Sequence, residues 1–243
     1  MVQSVRKNKI LYIMSDTAKK QKYEKLKKHF GLNDAMLKEY QTDQNISELF
    51  GRMKLDNTYV YSGHKQLPMK TCEAVYSIVR ATRPKLCVET GVSAGISSSF
   101  ILSALKRNNY GKLVSIDCQD KCGWLIQDEL KDIWTFKVGY TKDVLPTIKQ
   151  KIDFFLHDSL HTYQNMFFEL EWAFQHMKKG GIIIADNIGT NNAFFDVAKK
   201  HNQGTLFIPS SKTLGVGIMI KDLRIDAKTL VDIFGENKEN DLK

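Results

Sequence analysis

The segment that decides the fold is CVETGVSAGIS, at residues 87–97. Its first part, Cys87 to Glu89, is an apolar run that ends in an acid, which predicts a buried strand. A loop with Gly91 and Gly95 follows and opens a helix. Small residues in such a loop let the backbone approach a ligand, and the free N–H groups at the helix start favour polar or negative groups. The segment therefore predicts a strand, a ligand-binding loop and a helix in succession.

Outward from this segment, strand-like and helical patterns alternate. The predicted strands are Leu86–Glu89, Lys112–Asp117, Thr135–Val138, Ile152–Leu156, Ile182–Ala185, Thr205–Ile208 and Val216–Ile220. The predicted helices between or before them are Met69–Ala81, Gly95–Arg107, Ile126–Lys131, Val144–Lys149, Tyr163–Met177 and Ala193–His201. Such alternation predicts an α/β fold with a doubly wound, mostly parallel seven-stranded sheet. The short loop 209–215 predicts that the last two strands form a C-terminal antiparallel hairpin.

The N-terminal region lacks this alternation of strand-like and helical patterns. A short apolar segment, Ile10–Met14, is followed by charged helical stretches at Thr17–Phe30 and Asp34–Met53. We therefore expect an N-terminal helical appendage at residues 1–57, a ligand-binding domain at 58–222 and a C-terminal tail at 223–243.

Composition limits the class of protein. The chain has 243 residues, 42% of them hydrophobic, and a formal net charge of +9, so it is long enough to bury a sizeable core and attracts anions. Lysine dominates this charge, which argues against a base-reading arginine cluster and makes nucleic acid the weaker partner class. Neither a run of about 18 apolar residues nor a signal peptide is present in the sequence. Four cysteines without a CxxC pair fit a reducing compartment, so we expect a cytoplasmic protein without a membrane partner.

The glycine loop alone does not identify the ligand that it binds. A dinucleotide site requires G-x-G-x-x-G, and Ser93 stands at the second glycine position, so the pyrophosphate pattern is broken. A second acid, Asp117, ends the next predicted strand 22 residues after Gly95. A carboxylate there reaches the hydroxyl groups of a ribose that lies across the sheet, although an aspartate at this place could also cap a helix.

Two further strands deliver polar side chains to the same edge of the sheet. Asp158 follows the fourth predicted strand, and Asp186 and Asn187 follow the fifth. Their oxygen atoms suit Mg²⁺ or a similar cation. His161 lies three residues after Asp158, and an imidazole beside a bound cation is held neutral, as a general base must be. Helix capping by the aspartates and a structural role for His161 remain open alternatives.

Taken together, the loop at 89–95, Asp117, the segment HDSLHTY at 157–163 and GGIIIADN at 180–187 resemble class I S-adenosylmethionine-dependent methyltransferases. The most similar branch is that of small-molecule O-methyltransferases, and the resemblance covers residues 58–221. It implies S-adenosylmethionine as cofactor, with the glycine loop along its methionine portion, Asp117 on the ribose and Thr141 on the adenine side. The cofactor-binding residues that it implies are Glu89, Thr90, Gly91, Ser93, Gly95, Asp117, Thr141 and Asp158.

The resemblance extends to metal-dependent members of that family. It implies a divalent cation held by Asp158, Asp186 and Asn187, and some sugar-modifying relatives place a catalytic histidine where this chain has His161. The function implied is O-methylation of a small-molecule hydroxyl, with a sugar-containing acceptor included. Homo-oligomerisation stays open.

Two alternatives belong to other classes. An RNA-modifying methyltransferase would use the basic N-terminal region to bind RNA, but the chain has His-Asp-Ser-Leu at 157–160 in place of a base-methylating tetrad. A nicotinamide dehydrogenase would need an intact glycine pattern and a Tyr-x-x-x-Lys pair, and Phe167 stands four residues after Tyr163. Comparing the binding of S-adenosylmethionine, NAD and RNA separates the three.

Overall fold

The computed structural model of the chain describes residues 24–56, 68–208 and 215–222. Seven strands form one sheet in the order β3-β2-β1-β4-β5-β7-β6, with β1 to β5 parallel and β7 antiparallel to both β5 and β6. The strands are β1 (Leu86–Thr90), β2 (Lys112–Asp117), β3 (Trp134–Val138), β4 (Ile152–His157), β5 (Met177–Asp186), β6 (Thr205–Ile208) and β7 (Val216–Ile220). The doubly wound seven-stranded sheet and its C-terminal hairpin, predicted from the sequence, are confirmed.

Helices cover both faces of the sheet. They are α1 (helical residues 24–30), α2 (Asp34–Lys38), α3 (Gln44–Leu55), α4 (Met69–Thr82), α5 (Ile96–Asn108), α6 (Thr141–Val144), α7 (Tyr163–His176) and α8 (Ala193–Lys200). Short 3₁₀ helices lie at Glu39–Thr42, Asp128–Ile133 and Leu145–Thr147. No helix within the described ranges is both long and apolar enough to cross a bilayer.

Alternating side chains of the strands build two core layers. Phe154 and Leu156 of β4 are buried in the layer that includes residues of α3, α4 and α5, whereas Phe155 is buried in the layer that includes α7 and α8. The alternation follows from the period of two in a strand, which sends successive side chains to opposite faces. A strand buried on both faces therefore appears in the sequence as a continuous apolar run.

The N-terminal helices share the first of these layers. Leu26 of α1 and Ile46 and Leu49 of α3 are 0–1% exposed and belong to the same core as α4 and α5. The predicted apolar segment Ile10–Met14, the first part of the predicted helix Thr17–Phe30, the boundary at 57 and 58 and the tail 223–243 lie outside the described residues. The proposed division into three parts stays a prediction.

The single helix predicted over Asp34–Met53 is wrong, because the chain breaks at Asp43. This residue is 4% exposed, and its Oδ1 accepts a hydrogen bond from the backbone N–H of Asn45, which caps α3. Its Oδ2 accepts a second hydrogen bond, 2.8 Å long, from the hydroxyl of Tyr76. An aspartate with two such donors stabilises a helix start better than a helix interior.

Three other elements of the described residues differ from the prediction by more than one residue at a boundary. The predicted helix Ile126–Lys131 is the 3₁₀ helix at 128–133, and the predicted helix Val144–Lys149 is replaced by α6 and the 3₁₀ helix at 145–147. Pro146 lies in this second 3₁₀ helix, which ends at Thr147, and proline lacks the N–H group that a longer helix requires. Strand β5 begins five residues earlier than predicted, at Met177 rather than Ile182.

Candidate functional site

The carboxyl ends of the parallel strands gather the polar residues at one edge of the sheet. Strands β1 and β4 are neighbours there although they are not consecutive in the chain, so the connections diverge between them. Open α/β sheets bind ligands in the crevice that such a divergence leaves. The residues predicted as ligands lie around this crevice.

The loop after β1 approaches the loop after β4 closely. Gly91 has φ +83°, and a Cβ atom at this position would lie 2.6 Å from the carbonyl carbon of Asp158. The N–H of Gly91 donates to the carbonyl of Ile116, and the N–H of Asp158 donates to the carbonyl of Thr90, both at 2.9 Å. Only glycine fits here, because an L side chain would be strained and would collide with backbone.

Gly95 serves packing within the protein. It has φ +91° at the start of α5, and a Cβ there would lie 2.7 Å from Cγ1 of Ile126 and 2.9 Å from Cα of Gly123. Ser93, between the two glycines, adopts φ +49° without being glycine.

The carboxylate of Glu89 is buried below the loop. It is 0% exposed and accepts hydrogen bonds from the hydroxyls of Ser97 (2.5 Å), Ser98 (2.5 Å) and Ser115 (2.8 Å). Burial raises the pKa of Glu89, and the three hydroxyl groups act in the opposite direction. This serine cage, which consists of Glu89 and the three serines, joins β1 to β2 and to the first turn of α5.

Asp117 fixes the loop from the end of β2. Its Oδ2 accepts hydrogen bonds from the N–H groups of Val92 (2.8 Å) and Ser93 (3.2 Å), and its Oδ1 accepts one from Gln119 (3.0 Å). Burial acts to raise the pKa of this carboxyl, but the backbone N–H groups outweigh burial and hold the pKa below its ordinary value. Asp117 is therefore ionised at neutral pH.

A cavity of about 570 Å³ opens at this edge, which we call the edge cavity. Its wall is formed by residues 91–94, 96–97, 116–118, 139–142, 158–160 and 165. The predicted cofactor residues that line it are Gly91, Ser93, Asp117, Thr141 and Asp158. Glu89, Thr90 and Gly95 lie outside this lining: the carboxylate of Glu89 is enclosed by serines, the hydroxyl of Thr90 donates to Glu169, and Gly95 packs on Ile126.

Next to the cavity, three ligand-type side chains converge. One oxygen or nitrogen atom from each of Asp158, His161 and Asp186 lies within 4.8 Å of the others, and we call these residues the ligand cluster. His161 Nε2 lies 3.7 Å from Asp158 Oδ1 and 3.0 Å from Asn187 Nδ2. The structure thus brings together the three predicted metal ligands and the predicted base.

The amide of Asn187 contacts the imidazole of His161. In the neutral tautomer that carries its proton on Nδ1, His161 Nε2 accepts a hydrogen bond from Asn187 Nδ2 at 3.0 Å. Asn191 Nδ2 donates to the backbone carbonyl of His161 at 3.1 Å and holds this loop from the other side. A neutral imidazole nitrogen in this position can bind a cation or accept a proton.

Sequence reasoning missed a buried acid beneath the site. Glu169 of α7 is 0% exposed and accepts hydrogen bonds from Thr90, Ser159 and Asn165, and its Oε2 lies 2.6 Å from His157 Nδ1. Burial acts to raise the pKa of Glu169, but the interaction with His157 and the other hydrogen bonds lower it. The available signal was an acid flanked by Met166, Leu170 and Ala173, the apolar stripe of a predicted helix.

Part of the chain is similar in sequence to a known protein family. Residues 88–188 match the sequence model of a family described as a methyltransferase domain. No curated protein sequence matches the chain.

The fold is similar to those of solved methyltransferases. An O-methyltransferase from Bacillus cereus, solved in complex with SAH, gives a TM-score of 0.59 at 17% identity and covers 72% of this chain and 91% of its own. The O-methyltransferase TomG from Streptomyces achromogenes, involved in tomaymycin synthesis and solved with SAM, gives 0.55 at 15% identity over 87% of this chain and 92% of its own. A methyltransferase from Geobacter sulfurreducens gives 0.56 at 18% identity over 74% and 90%. At such identities the likeness establishes the shared fold.

Proposed function

We propose that the chain carries a class I methyltransferase domain and transfers a methyl group from S-adenosylmethionine to a hydroxyl group of a small molecule, and the match of residues 88–188 to a methyltransferase-domain family supports this. The observation that carries the proposal is the position of Asp158, which lines the edge cavity and also belongs to the ligand cluster. The methyl donor in the edge cavity and the methyl acceptor at the ligand cluster would therefore both lie beside Asp158.

The edge cavity fits the cofactor. Its volume lies within the usual range for small-molecule sites, and the bare backbone at Gly91 leaves room that a side chain would fill. We assign the ribose to Asp117, which is ionised, and the adenine side to Thr141. Glu89, Thr90 and Gly95 would support this wall from behind. The complexes of the Bacillus cereus and Streptomyces achromogenes enzymes with SAH and SAM support this assignment.

The ligand cluster fits a divalent cation. Two carboxylates with an imidazole and an amide beside them are a donor set that suits Mg²⁺ or Mn²⁺. We assign the cation to Asp158, Asp186 and Asn187, with the ring of His161 directly beside them. Asp186 is 3% exposed, and a cation bound by it would offset part of the cost of burying its charge.

Each part of the site would contribute a different step of methyl transfer. When bound, the cofactor supplies an activated methyl group, and a cation would lower the pKa of the acceptor hydroxyl. The walls of the edge cavity would orient the donor. In the tautomer with its proton on Nδ1, His161 would take the proton from the acceptor hydroxyl through Nε2, with the hydroxyl replacing Asn187 as the partner of that nitrogen. The resemblance of the Asp158–His161 spacing to that of some sugar-modifying methyltransferases supports a sugar-containing acceptor.

We keep the predicted division of the chain as part of the proposal. Residues 58–222 would form the methyltransferase domain, and residues 1–57 would pack on it through α1 and α3, whose buried leucines lie in its core. Residues 223–243 would follow as a tail.

The cofactor assignment predicts the effect of removing the carboxylate of Asp117. We expect Asp117→Ala to weaken the binding of S-adenosylhomocysteine by about 1.5–3 kcal/mol, the scale of hydrogen bonds to a charged group. Calorimetric titration measures the change. Asp120→Ala, at an exposed acid three residues away, is the control and should bind as the parent protein does. If the parent and Asp117→Ala bind S-adenosylhomocysteine with equal affinity, Asp117 does not bind the ribose.

The cation assignment predicts stoichiometric Mn²⁺ binding. We expect the parent protein to bind one Mn²⁺, seen by electron paramagnetic resonance, and Asp186→Asn to reduce the affinity about tenfold or more, because it neutralises a ligand without changing its shape. Asp128→Asn, at an exposed acid outside the cluster, should leave the affinity unchanged. If chelated parent protein keeps its methyl-transfer rate, the cluster only positions substrate.

A further inference from the structure

Glu169 is an ionised group in the core of the protein. It is 0% exposed on α7, and its carboxylate receives hydrogen bonds from β1 (Thr90, 2.6 Å), from the loop after β4 (Ser159, 2.7 Å) and from its own helix (Asn165, 2.8 Å). The fourth contact is with His157 Nδ1 of β4, at 2.6 Å. Three separate segments of the chain therefore converge on one side chain.

Stability alone does not account for such a group. Removing a carboxylate from water is costly, and buried ion pairs can often be replaced by apolar residues of similar volume without loss of stability. A buried carboxylate with several hydrogen-bond donors instead selects one arrangement of the segments that it joins, and here His157 Nδ1 is among the contacts although its Nε2 has no hydrogen-bond partner among the described residues.

The residues that contact the Glu169 carboxylate lie on either side of Asp158. His157 precedes it, Ser159 follows it, and Thr90 accepts the hydrogen bond from its backbone N–H. Ser159 and Asn165 also line the edge cavity together with Asp158. A shift of the Glu169 carboxylate would thus move the wall of the cavity and the residue shared with the ligand cluster.

The network also reaches His161. The rings of His157 and His161 meet edge to face, with centroids 5.3 Å apart and planes inclined at 79°. His157 is 0% exposed and held by Glu169, so it presents a fixed surface to the neighbouring ring. The orientation of His161 therefore depends on His157 on one side and on Asn187 on the other.

We propose that Glu169 is a positioning residue that fixes Asp158 directly beside the cofactor and, through His157, fixes the ring of His161. The inference rests on the proposed function for the identity of the ligand. It goes beyond that function because Glu169 touches neither the cavity nor the ligand cluster.

The experiment compares Glu169→Gln with Glu171→Gln. Both variants neutralise a carboxylate of α7 with little change of shape, but Glu171 is partly buried, pairs with Lys200 and His201, and lies outside the lining of the edge cavity. We expect Glu169→Gln to raise the dissociation constant of S-adenosylhomocysteine about tenfold, as loss of an outer partner commonly does, and Glu171→Gln to leave it unchanged. Thermal unfolding of both variants shows whether each is folded.

A spectroscopic measurement reports on the ring itself. In ligand-free protein, the ring nitrogen and proton resonances of His161 should shift in Glu169→Gln and stay unchanged in Glu171→Gln. Should Glu169→Gln fail to fold, Thr90→Val removes one donor to Glu169 and should give smaller changes in the same direction.

The outcomes separate this inference from the proposed function. If the parent protein does not bind S-adenosylhomocysteine, the cofactor assignment is wrong, and the resonances of His161 still test the positioning role. If a folded Glu169→Gln binds the ligand as the parent does, or if its His161 resonances match those of the parent, the positioning role is overturned.

Discussion

Replacing Gly91 by alanine is expected to abolish the binding of S-adenosylhomocysteine and to lower the free energy of unfolding by about 2–5 kcal/mol. An alanine with a positive φ costs about 1–2 kcal/mol, and overpacking against rigid structure adds about 1–3 kcal/mol. The added Cβ would meet the backbone of Asp158, which cannot move aside as a flexible side chain can. The edge cavity should therefore lose its shape.

The matched control is Gly180→Ala. Gly180 also has a positive φ, +75°, but nothing lies within 4 Å of the Cβ that would be added there. It should show the conformational cost alone, about 1–2 kcal/mol, with unchanged ligand affinity. Denaturant unfolding and calorimetric titration of both variants make the comparison. A Gly91→Ala protein that binds with parental affinity would show that the ligand does not approach this loop.

The second large effect concerns His161. We expect His161→Ala to transfer methyl groups about 10²–10⁴-fold more slowly than the parent, because a positioned base contributes that much to proton removal. Cofactor affinity should be unchanged, since the edge cavity is lined without His161. The rate is measured with an acceptor found by screening small hydroxyl compounds, and the affinity with S-adenosylhomocysteine.

The pH dependence gives an independent check on this assignment. Only the neutral ring can accept a proton, so the parent rate should fall as acid protonates His161, and the variant should lack this acid limb. His176→Ala, at a histidine stacked on Trp172, is the control and should keep the parental rate and profile. If His161→Ala keeps near-parental turnover across pH, water or a bound cation takes the proton and His161 is structural.

The sequence predicts the sheet well because each strand has a local signature. Runs such as Phe154–Leu156 and Ile182–Ala185 are continuously apolar since both faces of the strand are buried. The polar residues that follow such runs mark the carboxyl ends of the strands. Because parallel strands share one edge, these local patterns also predict that Asp117, Asp158 and Asp186 gather there.

Features that depend on contacts between distant residues were not predictable. The break at Asp43 is stabilised by Tyr76, which lies 33 residues away, and Glu169 acquires its role only when Thr90, 79 residues earlier, is brought beside it. Similarly, an acid at the end of β1 suggested ligand contact for Glu89. The structure instead encloses it with serines from α5 and β2.

The serine cage has a consequence for the kinetics and entropy of ligand capture. A loop whose base is tied to two strands and a helix has already lost its conformational freedom before a ligand arrives. Binding then avoids most of the entropy loss that ordering a mobile loop would impose, and no slow rearrangement has to precede it. Under the proposed function, the glycine loop would therefore receive the cofactor in a conformation that is already formed before binding.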